Sequence, residues 1–230
     1  ASENRLALQE LLPEAIISCY DSYDDNQLSR LLDWADVVCI GCGLGMGQIS
    51  EKILKNVLKN VSCPCVIDAD GLNLLNGKIE LLNQCRAPVI LTPHMKEMSR
   101  LTGWSIDKIM EDRFQALDQI IKQSGPDTKS SIICVLKDSR TVVAQTNRQK
   151  FVNLAGNNSM AKGGSGDVLA GTIAGLLAQH MAPFEAAAVG VFLHACGGDE
   201  AKKSKGSYSV LARDLIQGMA DAMKNAKECR

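Results

Sequence analysis

A chain of 230 residues with 46% hydrophobic content can bury a substantial core, as one large domain or two small ones. Its 25 Lys and Arg stand against 26 Asp and Glu, a formal net charge of −1, and no block of like charge marks a nucleic-acid face or a basic membrane-binding tail. The longest apolar run, Ala186 to Cys196, is too short to span a bilayer, and the first residues lack the basic and apolar regions of a signal peptide, so the expected compartment is cytoplasmic.

Short β-branched runs alternate with amphipathic segments along the chain. Strands are predicted at 14–19 (EAIISC), 36–41 (DVVCIG), 64–69 (PCVIDA), 87–92 (APVILT), 131–137 (SIICVLK), 140–145 (RTVVAQ) and 150–154 (KFVNL). Helices fill the gaps. One over 48–59 puts Ile49, Ile53, Leu54, Val57 and Leu58 on a single face, and one over 106–123 does the same with Ile109, Phe114, Leu117, Ile120 and Ile121. The first four strands are apolar throughout rather than alternating, which is the pattern of a parallel sheet covered by helices on both faces. From Thr141 to Leu154 the pattern changes to an antiparallel hairpin joined around Thr146-Asn147-Arg148. Only helices follow it. With short linkers and no internal repeat, a single α/β domain over 1–230 is the economical reading.

Nine cysteines include the pairs Cys39-Ile-Gly-Cys42 and Cys63-Pro-Cys65. Both lie in apolar runs of strand type, where free cysteines behave as small hydrophobes. His94, His180 and His194 are distant from them in sequence, so buried reduced thiols are expected rather than a zinc site.

The stretch Gly163-Gly164-Ser165-Gly166-Asp167 opens a helix over 167–179. Glycines let the backbone approach a ligand closely, so successive amides can converge on an anion at the helix N-terminus. Asp167 beside such a site either caps the helix or takes a proton from a substrate hydroxyl while the amides stabilise a transferring phosphoryl group. Gly171 and Gly175, four apart, suggest a second element packed closely on this helix.

Three more loops follow strands at their C-terminal ends, where open α/β sheets bind ligands. Gly41-Cys42-Gly43-Leu44-Gly45-Met46-Gly47 does not match the dinucleotide fingerprint G-x-G-x-x-G. Asp68-Ala69-Asp70-Gly71-Leu72-Asn73 offers either a helix cap at Asp70 or a polar pocket wall. His94, in Thr92-Pro93-His94, is either structural or a ligand contact. Lys137, closing an apolar strand, either reaches solvent or holds a nucleotide phosphate.

These motifs, in this order, resemble the ADP- or ATP-dependent NAD(P)H-hydrate dehydratases of the ribokinase-like superfamily. The stretches GCGLG, DADGLN, LTPHMKEM, VLKDSRTVVA, GNNSMAKGGSGDVLAG and LHACGGDEA stand where the family has G-P-G-L-G, D-A-D-A-L-N, L-T-P-H-P-G-E-M, V-L-K-G followed by T-V-I-A, G-N-P-G-M-A-x-G-G-x-G-D-V-L-x-G and L-H-G-x-A-x-D. The similarity runs from about Leu12 to Leu215. It implies phosphorylation of the hydroxyl on a hydrated nicotinamide ring by ATP or ADP, with Mg2+ at the phosphates, then elimination of phosphate to regenerate NADH or NADPH.

In that scheme Asp167 is the base and Gly163, Gly164, Ser165 and Gly166 form the anion hole. Gly43 and His94 contact the hydrated cofactor, and Lys137, Asp138, Ser139, Arg140, Thr141 and Gly166 hold the nucleotide. Asp68, Asp70, Asn73 and Asn157 are candidates for the pocket wall, and no protein ligand to a metal is assigned. The resemblance also implies a homo-oligomer, tetrameric or larger, with no nucleic-acid or membrane partner. A ribokinase-like kinase for a thiazole or pyrimidine alcohol and a catalytically silent nucleotide-binding protein are the competing readings. Cys42 replaces a family proline, Met95-Lys96 and Asn158-Ser159 each replace Pro-Gly, and Asp138 replaces a glycine, placing a carboxylate next to Lys137. The family's Gly/Ala-rich strand-helix-strand ahead of Leu12 has no counterpart, so a longer polypeptide is expected.

Overall fold

The computed structural model describes residues 2–123, 131–146 and 150–228. Its strands are β1 (Val38–Ile40), β2 (Cys65–Ile67), β3 (Val89–Leu91), β4 (Ile132–Leu136), β5 (Val142–Gln145) and β6 (Phe151–Val152). They form one sheet in chain order, with β1 to β4 parallel and β5 and β6 antiparallel. The predicted joint of the last hairpin at Asn147 and Arg148 lies outside the described residues.

Alternate side chains of the sheet feed two separate cores, because successive strand residues point to opposite faces. Cys65, Ile67, Val89, Leu91, Ile132, Cys134 and Leu136 pack under α3 (Gln48–Asn60), α4 (Ala69–Leu74), α5 (Met95–Thr102), α6 (Ile106–Glu111) and α7 (Arg113–Gln123). Val66, Ile90, Ile133, Val135 and Val143 pack under α8 (Ser165–Ala178) and α9 (Pro183–Lys205). A third layer, α10 (Ala212–Glu228), packs on α9. Burial on both faces explains why the central strands are continuous apolar runs.

Five expectations are corrected. Residues 14–19 form no strand: Ile16 is exposed, and Ser18 and the Cys19 carbonyl are held by the Gln27 side chain of α2 (Asp25–Trp34) instead of by a ladder. The helix expected over 106–123 breaks at Asp112, whose non-helical backbone and side-chain bond to the Gln115 amide (2.9 Å) start a new helix. The break resets the helical phase, so Phe114 turns outward beneath Lys150 while Ile109, Leu117 and Ile120 stay buried. Cys39 is exposed on β1, at one edge of the sheet among the described residues, whereas Cys65 is fully buried. Nothing lies close to Gly171 or Gly175; the tight approach on α8 comes from Gly190 of α9, where a Cβ would sit 2.7 Å from Ile173. Ile49 is likewise more exposed than its helical face implied. Among the described residues no helix is long and apolar enough to cross a membrane.

Candidate active site

The C-terminal ends of β1 to β4 lie at one edge of the sheet and carry Gly41, Asp68, Thr92 to His94, and Lys137 respectively. Lys137 continues the ladder beside His94, its amide donating to the Pro93 carbonyl at 2.8 Å. Its side chain turns inward, and Nζ donates to Asp68 Oδ1 at 2.6 Å. Asp68 occupies the cap position of α4 but makes no cap bond; it is 1% exposed and ion-paired. A carboxylate this deeply buried requires a charged partner, and Lys137 supplies it.

Helix α8 reaches the same edge from the opposite face. Gly164, at φ 85°, caps it, and the Ser165 amide donates back to the Lys162 carbonyl at 3.3 Å. The next amides, of Gly166 and Asp167, have no intrahelical acceptor by position. Gly166 rests against the lysine: a Cβ there would stand 3.2 Å from Lys137 Nζ and 3.6 Å from Asp68 Oδ2. Asp167 follows in the first turn, exposed, and its carboxylate, the Asp68 carboxylate and the Cys42 sulfur lie within 4.8 Å of one another. The sulfur is 4.0 Å from Asp68 Oδ2. Its thiol is pushed well above the ordinary range by a hydrogen bond with Cys39, then by partial burial and by Asp167, so it stands protonated beside the carboxylates.

The Gly41 to Gly47 loop is held from below. A Cβ on Gly41 (φ 123°) would collide with the Asp68 carbonyl, so the chain passes directly over β2 only without a side chain. Asp70 neither caps α4 nor faces solvent alone; its Oδ2 accepts from the Gly45 amide at 2.8 Å. Gly43 is exposed, with φ 66° and open space around it. His94 caps α5: Nδ1 accepts from the Glu97 amide at 3.1 Å, and Glu97 Oε2 accepts from the His94 amide at 2.8 Å. Asn73 accepts from Arg100 at 2.6 Å.

The turn 137–141 links β4 to β5. Thr141 Oγ1 donates to the Asp138 carbonyl, Ser139 and Arg140 are exposed, and the Asp138 side chain pairs with Arg113 at 2.7 Å. The carboxylate next to Lys137 in sequence is therefore engaged elsewhere.

Sequence reasoning missed Asp199 and Arg113. Asp199, on α9, accepts from the Gly156 amide (3.1 Å) and from Asn157 Nδ2 (2.7 Å), and Asn157 in turn accepts from the Ser159 amide. It thus fixes the segment that leads into the glycine-rich loop. The stretch LHACGGDEA contained the signal, an acidic residue directly after a run of apolar and small residues. Arg113 carried no signal, because its partner is distant in sequence.

A lysine, an acidic side chain and a glycine-rich helix start gather beyond the carboxyl ends of a mostly parallel sheet, the edge at which open α/β folds bind ligands. A solved ribokinase-like superfamily protein from Enterococcus faecalis superimposes with a TM-score of 0.77 at 33% identity, covering 97% of this chain and 74% of that one. A Bacillus subtilis ADP/ATP-dependent NAD(P)H-hydrate dehydratase, co-crystallised with ATP and Mg2+, superimposes with a TM-score of 0.76 at 26% identity, covering 97% and 76%. The family model for NAD(P)H-hydrate dehydratase matches residues 1–220. An ADP-dependent (S)-NAD(P)H-hydrate dehydratase from Neisseria meningitidis is 35% identical over 94% of this chain and 73% of its own length. The chain belongs to the NAD(P)H-hydrate dehydratase family. A bifunctional NAD(P)H-hydrate repair enzyme from Moorella thermoacetica is 38% identical over 89% of the chain, which spans 37% of that relative's length.

Proposed function

We propose that this chain dehydrates hydrated NADH or NADPH, using ATP or ADP as phosphoryl donor. The observation that carries the reading is the position of Asp167 in the first turn of α8, across from the Lys137 and Asp68 pair.

Asp167 accepts the proton of the ring hydroxyl as its oxygen attacks the terminal phosphoryl group of the nucleotide. Lys137 and the amides of Gly166 and Asp167 stabilise charge on that group, and the small Gly166 lets it come close. The phosphate then leaves with the C–O bonding electrons and a ring C–H proton is lost, restoring the reduced nicotinamide. Phosphate departs far more readily than hydroxide, which gives a kinase fold a use in dehydration. Gly43 and His94 border the hydrated ring, and Lys137 to Thr141 hold the nucleotide; Asp70 and Asn157 act by holding their loops. The carboxylate oxygens of Asp68 and Asp167 suit Mg2+, a hard cation, whereas the protonated Cys42 does not. Bound there with the phosphates, Mg2+ would supply charge neutralisation. The homo-oligomeric state rests on the family resemblance, and the cytoplasmic location on the sequence reading alone.

The test is incubation with hydrated NADH, Mg2+ and either ATP or ADP while reduced-nicotinamide absorbance is followed. Recovery with one nucleotide, lost in Asp167→Asn, is expected; no recovery with either overturns the reading.

A further inference from the structure

The residue after Lys137 is a carboxylate in a loop read as binding a nucleotide, and the structure gives it one strong partner. Asp138 Oδ2 lies 2.7 Å from Arg113 Nη2, with the two side chains 25% and 27% exposed. Consecutive residues at a strand end point to opposite sides. Lys137 accordingly reaches Asp68 while Asp138 reaches Arg113, the first residue of α7. That helix packs against both β4 and β5, the two strands joined by the turn 137–141. The Arg113 Nε is buried and has no hydrogen-bond partner, so the guanidinium is held at its tip by Asp138.

We infer that Arg113 is a positioning residue for the phosphoryl donor: by holding and neutralising Asp138, it makes a carboxylate tolerable inside an anion-binding turn. This rests on the reading of Lys137 to Thr141 as the nucleotide loop. Without Arg113 the Asp138 charge is unanswered and opposes the phosphates that Lys137 attracts, an effect that added salt screens. With both side chains gone, the turn returns to the glycine of the family pattern and no repulsion is left.

The experiment measures binding of a fluorescent ADP analogue, which needs no turnover. Wild type, Arg113→Lys, Arg113→Met, Asp138→Gly and the double variant Arg113→Met/Asp138→Gly are compared at low and high salt, with thermal unfolding as the folding control. Arg113→Met is expected to weaken binding on the order of tenfold at low salt and less at high salt. Arg113→Lys should bind close to wild type, and the double variant should recover most of the loss, with Asp138→Gly as its single-variant reference. Unchanged binding in Arg113→Met overturns the inference. So does a double variant as weak as the single one, since the pair would then be a structural pin rather than a charge device. If wild type itself binds no analogue, the nucleotide-loop reading falls and takes the inference with it. If it binds but Arg113→Met is indifferent, only the inference falls.

Discussion

At the scale of single residues, the ion pair of Lys137 and Asp68 is the most exposed to test. Asp68 has one cationic partner among the described residues and is almost fully buried. Lys137→Met therefore strands a charge, and denaturant unfolding should show a loss of about 3–5 kcal/mol. Asp68→Asn in that background should restore much of it. Gly166→Ala has a different signature. Its new methyl group meets the flexible end of a lysine, which can shift by a few tenths of an ångström, so stability should change by less than about 1 kcal/mol. The nucleotide KM should rise several-fold all the same, because the methyl group occupies the space a phosphoryl oxygen needs. Asp167→Asn keeps its shape and loses its basicity, and kcat should fall on the order of 10² to 10⁴ with nucleotide binding retained.

At the scale of elements, α9 acts on the glycine-rich loop through Asp199. Replacing it with alanine leaves the Gly156 amide and Asn157 without their acceptor. We expect kcat to fall on the order of tenfold or more with KM little changed, as positional errors near a reacting centre do, and steady-state kinetics would read it. The same scale shows what could be read from the chain alone. Apolar runs at β1 to β4, the amphipathic α3 and the glycine-rich start of α8 are local patterns, and they placed the scaffold and the loop residues correctly. Residues 14–19 look equally strand-like, yet a strand needs a partner, and composition does not say whether one is present. The break at Asp112 is a capping event with a single residue as its cause, too small to disturb the hydrophobic period. The partners of Asp68, Asp138 and Asn157 are separated from them by tens of residues in the chain. Only the folded sheet brings Lys137, Arg113 and Asp199 to them.

At the scale of the whole molecule, a buried imidazole gives the fold a pH response. His194, 9% exposed on α9, has its pKa lowered to about 4, chiefly by burial, against a contact with the Ser165 carbonyl that opposes the shift. The unfolded chain takes up a proton near pH 6.5 that the folded chain refuses until about pH 4. Stability is thus unaffected by this group above pH 6.5 and falls as pH drops from there towards 4, by up to about 1.4 kcal/mol per pH unit. Unfolding midpoints measured across that range should show the slope in the native protein and a weaker one in His194→Gln. His194 sits in the layer of α8 and α9, and that layering bears on the chemistry. Lys137 and Asp68 extend from the strands themselves, whereas Asp167 rides on a helix whose core lies across the sheet from that of α3 to α7. Base and lysine are like the two scales of a vernier. Asp167 is placed by the packing of α8 on the sheet and Lys137 by the sheet itself, so a change of volume in the core beneath α8 would alter the gap between them without touching either residue.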